Sequence, residues 1–200
     1  MVPPGWGGQN AMNLTDVDRK LLLMQARASI EAHLSDKSVP PVNDPSPVLG
    51  ERRGAFVSLH RQGRLRGCIG YLEAVKPLLQ TVREMAASAA FHDPRFKPLR
   101  PEELADLEIE ISVLSPMKLI TSTDEIEVGK HGLYIVQGFC RGLLLPQVAT
   151  EYKWDRLAFL QQTCCKAGLD PDAWKAPSTK IYTFTAEVFA EHPQQGGCLR

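Results

Sequence analysis

One stretch of eight residues holds the group best suited to chemistry, a cysteine that follows an arginine on an extended segment. It reads Leu65-Arg66-Gly67-Cys68-Ile69-Gly70-Tyr71-Leu72. Alternation along a strand predicts that Arg64 and Arg66 share the face of Cys68, and that Leu65 lies on the opposite face. Neighbouring guanidinium groups favour the thiolate, which is the nucleophilic form of cysteine. The segment therefore predicts a reactive thiol; the alternative is an inert cysteine packed in a buried strand.

A nucleophilic thiol at this position needs a general base within hydrogen-bond reach. His131, just before a predicted strand in the second half of the chain, is the candidate base. The alternative for His131 is a loop histidine that bonds to the backbone. His60 is nearer in sequence, but a two-residue turn after it would point its side chain away from Cys68. We therefore predict that Cys68 and His131 act together.

Two glutamates alternate with apolar residues on the clearest predicted strand, residues 107–113. Alternation places Glu108 and Glu110 on one face, and neighbouring carboxylates are an arrangement that provides a general acid and a general base. Glu110 is therefore the third candidate catalytic residue. The alternative is structural: the two glutamates balance the charges of Arg66 and Arg141 across the sheet.

Arg66 and Arg141 are also the candidate binding residues, because a planar guanidinium holds a phosphate or carboxylate through two parallel hydrogen bonds. Gly67 and Gly70 complete this candidate ligand-binding site, since a residue without a side chain lets a ligand approach the backbone. We therefore expect a small anionic ligand beside the cysteine. The sequence contains no phosphate-binding loop, dinucleotide glycine pattern or C-x-x-C pair, so no cofactor and no metal are predicted.

The composition is that of a globular protein without an overall electrostatic bias. Of 200 residues, 44% are hydrophobic and 23% are charged, and 23 Lys and Arg balance 23 Asp and Glu. This balance disfavours binding to nucleic acid, and no apolar run approaches the ~18 residues of a membrane span. The five cysteines are irregularly spaced and no signal-peptide pattern is present. We therefore expect no disulfide framework and a cytoplasmic location.

Hydrophobic spacing predicts a helix, a hairpin, a second helix and a strand in the first half. The first helix begins at the N-cap Thr15 and runs to about His33. Its predicted apolar stripe is Val17, Leu21, Met24 and Ala28. Strands at 55–60 and 65–72 flank a turn at Gln62-Gly63, which would place Val57 opposite Cys68. A helix opening at Pro77 precedes the strand at 107–113.

The second half repeats this order, which indicates a duplicated unit. It contains predicted strands at 132–137 and 140–145, a helix at 155–167 and a strand at 180–189. Gly54 and Gly132 open the two hairpins 78 residues apart, and an Arg-Gly pair recurs after 75 residues. Hairpins force antiparallel pairing. The sequence therefore predicts an α+β fold in which two duplicated strand-strand-helix-strand units form a mostly antiparallel, curled sheet, with the N-terminal helix packed alongside.

The predicted domain spans residues 13–190, as one domain that is either undivided or made of two lobes. The glycine- and proline-rich residues 1–12 predict a disordered start. Residues 191–200 are expected to form a tail.

Five blocks in order carry a resemblance to a known family. They read LRGCIGYL, AAFHDPRFKPL, LEIEISVLSP, EIEVGKHGL and RGLLLPQVATEYKWD. Together they resemble the AMMECR domain family, from about Leu14 to Phe189. The resemblance implies an α+β fold, a cytoplasmic location, and a suspected functional site at residues 65–70. It further implies that the protein resembles system protein A, which accompanies a Memo-type protein and a radical SAM protein; it implies no established activity.

Two functions are compatible with these observations. In the first, the segment around Cys68 is an enzyme-like site for a small molecule or peptide. In the second, the chain is a non-catalytic module that binds the Memo-type or radical SAM protein. RNA binding through the arginines near the hairpin is a more distant alternative.

Overall fold

The computed structural model describes residues 14–191, in which five helices and eight strands form. The predicted disordered start and, apart from its first residue, the predicted tail lie outside this range. The helices are α1 (Asp16–Ser35), α2 (Pro47–Gly50), α3 (Leu78–Phe91), α4 (Pro146–Glu151) and α5 (Arg156–Lys166). The strands are β1 (Ala55–Arg61), β2 (Arg64–Tyr71), β3 (Leu107–Leu114), β4 (Lys118–Leu119), β5 (Gly132–Gln137), β6 (Cys140–Leu144), β7 (Lys180–Phe184) and β8 (Ala186–Ala190).

The described chain divides into two compact units, each with its own antiparallel sheet. The N-terminal unit comprises residues 14–113 and 187–191, and the C-terminal unit comprises residues 114–186. The strand order is β2-β1-β3-β8 in one sheet and β4-β7-β5-β6 in the other. Each unit therefore contains a hairpin, a helix and a third strand, and the third strand pairs with the first strand of the hairpin. The predicted α+β fold with a duplicated unit is confirmed.

The last predicted strand needs a correction. Residues 180–189 were expected to form one strand, but the structure breaks it at Thr185 into β7 and β8. β7 pairs with β4 and β5, whereas β8 lies beside β3 in the other sheet. The alternating apolar pattern continues through the break and so does not reveal the change of sheet.

The core of the N-terminal unit lies between one face of its sheet and α3, and α1 packs on α3. On β1 the residues facing this core are fully buried, as are the three central apolar residues of β3. They are Ala55, Val57, Leu59, Ile109, Ile111 and Val113. The predicted stripe of α3 is confirmed, since Leu78, Val82, Met85 and Ala89 are all buried. The opposite face of the sheet carries the intervening, mostly polar residues.

Helix α1 begins as predicted but buries a different face. Thr15 is its N-cap and forms a capping box with Asp18. The fully buried apolar residues are Leu22, Ala26 and Ile30, whereas Val17 and Met24 of the predicted stripe are exposed. The predicted stripe was therefore wrong, because consecutive apolar residues at 21–24 place one on every side of the helix.

The C-terminal unit repeats the arrangement on a smaller scale. Helix α5 packs on β5 and β6, and α4 lies against β5. Its core contains Phe159 and Leu160 of α5 together with Leu133 and Ile135 of β5. Asp155 caps α5 by accepting a hydrogen bond from the Ala158 N–H at 2.8 Å. The predicted helix in this half is thus confirmed to within one residue at each end.

Candidate functional site

A β-bulge at Arg66 sets the faces of the hairpin that carries the cysteine. The two-residue turn is present, since Arg61 pairs with Arg64. The register then shifts between Leu59 and His60, so that Arg66 has no cross-strand partner and Ser58 pairs with Cys68. An extra residue in one strand reverses the alternation beyond it.

Several predictions about this hairpin were therefore wrong. The residue opposite Cys68 is Ser58 instead of Val57. Because paired residues share a face, Leu65 and its partner His60 lie on the face of Cys68, while Arg64 lies on the other face. The spacing alone does not show the bulge, and one inserted residue changes every assignment made across it.

Gly67 and Gly70 each have a packing role in the structure. A Cβ atom at Gly67 would lie 2.2 Å from the Ala89 carbonyl oxygen of α3, so the helix backbone lies directly on this residue. A Cβ atom at Gly70 would lie 2.3 Å from the ring of Phe56. Cys68 follows Gly67 in the strand and therefore points to the face opposite α3.

The Cys68 thiol is half-buried and accepts a hydrogen bond from the hydroxyl group of Ser58. The Ser58 Oγ donates a hydrogen bond to Cys68 Sγ over 3.3 Å. Ser58 also pairs with Glu110 on its other side, so the three residues form one row across β2, β1 and β3. In the adjacent row, His60 pairs with Glu108, which confirms that both glutamates share a face. The face around the thiol is polar and includes a carboxylate.

In the turn after α3, Asp93 and Arg95 bind the peptide groups of Cys68, and we call this pair of side chains the clamp. Asp93 Oδ2 accepts a hydrogen bond from the Cys68 N–H at 2.8 Å, and Arg95 Nη2 donates one to the Cys68 carbonyl oxygen at 3.2 Å. The two side chains also bind each other, with Arg95 Nε 3.0 Å from Asp93 Oδ1 and Arg95 Nη2 2.7 Å from Asp93 Oδ2. Because β2 is an edge strand, these bonds take the place of a neighbouring strand at Cys68.

The charges of this clamp are strongly stabilised. The Asp93 side chain is 1% exposed, while that of Arg95 is 55% exposed. The pKa of Asp93 is held well below its ordinary value, chiefly by the hydrogen bond from Arg95, while burial opposes this effect. The pKa of Arg95 is raised, chiefly by Asp93, and the Cys68 side chain makes a smaller contribution. Arg95 is therefore a cation next to the thiol.

Arg66 has a counter-charge that the sequence did not indicate. Its Nε and Nη2 donate to the two carboxylate oxygens of Glu103 at 2.9 and 3.0 Å. The expectation that Glu108 or Glu110 balances Arg66 was therefore wrong. The hydrogen bond from Arg66 is the main cause that lowers the pKa of Glu103 to about 2.

Phe96 lies beneath two guanidinium groups in the same region. The ring centre is 6.0 Å from the Arg66 guanidinium and 5.4 Å from that of Arg95. Such cation–π contacts contribute about 0.5–1 kcal/mol at exposed sites. Arg66 Nη1 is buried and has no hydrogen-bond partner among residues 14–191.

The remaining predicted site residues lie in the C-terminal unit. His131 Nδ1 accepts a hydrogen bond from the Glu127 N–H at 3.1 Å, and the His131 N–H donates to the Glu127 carbonyl at 2.9 Å. Arg141 lies on β6 opposite Val136, and it is exposed. The two predicted catalytic residues of the N-terminal unit, Cys68 and Glu110, lie within one row of side chains.

Three residues of this region were missed by the sequence reasoning. Ser58 was missed because it depends on the bulge. Asp93 and Arg95 lie 25 and 27 residues after Cys68, and no local spacing links them to it. A signal was nevertheless present: the Asp93-Pro94-Arg95-Phe96 segment lies within the second of the blocks that carry the family resemblance.

The part of the chain from 14 to 191 contains no group of three or more potential metal ligands. Its four cysteines, Cys68, Cys140, Cys164 and Cys165, are free thiols. None of the helices in the described range is long and apolar enough to cross a membrane.

The architecture is that of an α+β protein built from two related units, and comparisons with known proteins identify its family. A profile of the AMMECR1 family matches residues 23–189. The chain belongs to the AMMECR1 family.

Its relatives include archaeal proteins of similar length. A protein of Methanothermobacter thermautotrophicus is 48% identical over 179 residues, which cover 86% of this chain and 93% of the relative. Protein TK0174 of Thermococcus kodakarensis is 45% identical over 193 residues, covering 90% and 94%. The crystal structure of the uncharacterized protein PH0010 from Pyrococcus horikoshii aligns with a TM-score of 0.80 at 43% identity, covering 86% of this chain and 90% of that one. These relationships support the fold and assign no reaction.

Proposed function

We propose that the β1–β2 hairpin carries a binding site for a small molecule or peptide, with Cys68 as its nucleophile or redox thiol. The observation that carries this proposal is the half-buried thiol, which accepts a hydrogen bond from Ser58 and belongs to a residue whose carbonyl oxygen is bound by the Arg95 cation. A hydroxyl donor and a neighbouring cation both favour the thiolate over the thiol. A cysteine sealed in hydrocarbon would have neither.

The other candidate residues have defined roles in this proposal. Glu110 is the proposed residue for proton exchange with the site, and its place in the same row as Cys68, with Ser58 between them, supports this role. His131 remains the candidate base. In that role its Nδ1 must release the Glu127 N–H, because the neutral ring carries its proton on Nε2 while Nδ1 accepts this hydrogen bond. Arg66 binds an anionic group through Nη1, because Glu103 occupies its other two nitrogens.

The remaining ligand-binding residues of the proposal are Gly67, Gly70 and Arg141. The two glycines lie on either side of Cys68 in β2. Arg141 is proposed as a second anion-binding residue from the C-terminal unit.

The pH dependence of alkylation tests the proposal. Iodoacetamide reacts with the thiolate, so the pH of half-maximal labelling reports when Cys68 ionises. The proposed function requires a midpoint below the value of ~8.5 for a free thiol. Trypsin releases Cys68 and Cys165 in different peptides, so mass spectrometry follows both, and the exposed helical Cys165 serves as an internal control. A midpoint for Cys68 at or above that of a free thiol would remove the nucleophile.

A second candidate function is supported by exposed apolar residues at the beginning of β2, at its end and just after it. Leu65, Tyr71 and Val75 are large apolar side chains that are 41%, 39% and 47% exposed. Apolar side chains next to a signature segment favour a module that binds a partner protein. The family resemblance makes a Memo-type or radical SAM protein the partner to test.

Co-purification with tagged Memo-type and radical SAM proteins tests this adaptor function. We expect retention of the wild-type chain and loss of it with Leu65→Ser and Tyr71→Ser together. The matched control is Phe139→Ser, which changes a fully exposed apolar residue in the C-terminal unit. If the Cys68→Ser variant is retained as well as the wild type, the adaptor function is favoured. If the wild-type chain binds neither protein, the adaptor function is contradicted.

A further inference from the structure

We infer that Asp93 and Arg95 are positioning residues for the Cys68 thiol, and that their opposite charges set its reactivity in opposite directions. This inference rests on the proposed function, because it names the regulation of that same site. Its basis is that one residue, Cys68, receives both hydrogen bonds of the Asp93–Arg95 clamp, one at its N–H and one at its carbonyl.

The clamp fixes the orientation of the peptide on both sides of the thiol. An edge strand has no neighbour on its outer side, so its backbone is free to move or to pair with another chain. At Cys68 a buried carboxylate and a guanidinium take the two positions that a neighbouring strand would occupy. A side chain held by a fixed backbone keeps its direction toward Ser58 and the polar face.

The two charges have opposite effects on the thiolate. The Arg95 cation stabilises a negative sulfur, and the Asp93 carboxylate, buried close to the same peptide, destabilises it. The other charged groups on the strands beside Cys68 are Arg61 of β1, Arg64 and Arg66 of β2, and Glu108 and Glu110 of β3. Arg61 and Arg66 are paired with Glu103, and Arg64 lies on the other face. His60 is the titratable side chain of β1 on this face. Replacing one member of the clamp leaves all of these groups unchanged.

The C-terminal unit shows that the turn itself does not require the clamp. Asp170-Pro171 follows α5 as Asp93-Pro94 follows α3, and Asp170 Oδ1 accepts the Asp172 N–H at 2.8 Å. Asp170 is exposed, whereas the Asp93 side chain is only 1% exposed. The burial of Asp93 against β2 is thus a separate feature, which accompanies the cysteine.

Alkylation profiles of Cys68 in two charge variants test the inference. Asp93→Asn keeps an oxygen that can accept the Cys68 N–H but leaves Arg95 without its counter-charge. We expect Cys68 to react up to about tenfold faster below the midpoint, with the midpoint moving to lower pH. Arg95→Gln removes the cation and leaves the Asp93 charge, so we expect a loss of similar size and a midpoint at higher pH. Arg95→Lys keeps the charge and should restore the wild-type midpoint in large part.

The outcomes separate this inference from the proposed function. A purely structural clamp would loosen the strand in both variants, so shifts in the same direction, or no shift in either, would overturn the inference. Asp170→Asn is the matched control and should leave the profile unchanged. If Asp93→Asn does not fold, Arg95→Gln and Arg95→Lys still provide the comparison at a half-exposed position. A wild-type midpoint at or above ~8.5 would contradict the proposed function alone, because the shifts are measured relative to the wild type.

Discussion

The two units of the molecule share their framework and differ in the residues around the cysteine. In each, the second strand of the hairpin contains an Arg-Gly pair, and the helix backbone lies on the glycine. A Cβ atom at Gly67 would lie 2.2 Å from Ala89 O, and one at Gly142 would lie 2.4 Å from Ala167 N. The residue that follows is Cys68 in the N-terminal unit and Leu143 in the C-terminal unit.

The turns after the two helices differ in the same way. Both begin with Asp-Pro, and in both the aspartate accepts the N–H of the residue two positions later, at 3.1 Å for Asp93 and 2.8 Å for Asp170. Asp93 is buried and binds the edge strand, whereas Asp170 is exposed. The shared features are those that a helix packed on a hairpin requires. The features that differ all contact Cys68, which makes them the candidates for function.

The largest expected effect concerns the glycines that the units share. We expect Gly67→Ala and Gly142→Ala each to lower the free energy of unfolding by about 3 kcal/mol, because the added methyl group meets helix backbone that cannot move aside. Urea unfolding followed by circular dichroism measures this. Gly50→Ala is the control, since nothing lies within 4 Å of a Cβ atom there. If either variant were as stable as this control, the common packing would be disproved.

The next prediction concerns the aspartates that differ. Asp93→Ala should destabilise the protein by about 2–3 kcal/mol, because it leaves the Cys68 N–H without its acceptor and Arg95 without its buried partner. Asp170→Ala should cost less than about 1 kcal/mol, since its position is exposed. Hydrogen exchange provides a second measurement: protection of the Cys68 amide should fall in the first variant and persist in the second. Equal costs for the two variants would contradict the contrast between the turns.

A smaller effect on stability is expected from two glutamates with a pKa of about 2, Glu103 and Glu125, whose ion pairs should respond differently to pH and salt. Both pKa values are depressed in the folded state, so the stabilisation is complete above the ordinary glutamate value of 4.5 and is lost as the pH falls through about 2. Glu103→Gln should cost about 1–3 kcal/mol at pH 7 by leaving Arg66 unpaired, and its difference from the wild type should vanish toward pH 2. The exposed Glu125–Lys118 pair should instead weaken in 1 M salt. Unfolding midpoints against pH and salt measure both; an unchanged Glu103→Gln difference at pH 2 would be contrary to this account.

The smallest effect is expected at the tips of the hairpins. Gln62 and Gly63 both have positive φ, at 52° and 70°, whereas in the other hairpin Gly138 alone of the two turn residues does, at 59°. A two-residue turn with two positive φ angles favours Asn-Gly. Gln62→Asn should therefore raise the free energy of unfolding by about 0.5 kcal/mol. Gln137→Asn, next to the other turn, is the comparison and should give no gain; a loss with Gln62→Asn would mean that the turn is not of this type.

The fold was largely predictable because its signals are local. Caps, turns and hydrophobic spacing determine the helices and strands, and the recurrence of the Arg-Gly pair revealed the duplication. The site was less predictable because it depends on two features that spacing does not show. One is the bulge at Arg66, which places Ser58 beside Cys68. The other is the long-range contact of Asp93 with β2, which forms when α3 folds and returns the chain to the strand.

The position of β8 has a consequence for how the protein is made. This strand, residues 186–190, is among the last described residues of the chain, yet it completes the sheet that begins at residue 55. Two ion pairs hold it to α1, Arg19 with Glu187 and, just beyond the strand, Arg27 with Glu191. During translation the first sheet must therefore remain one strand short, with β3 as an open edge, until residue 190 has left the ribosome. Premature termination between residues 114 and 186 would leave that edge available for aggregation.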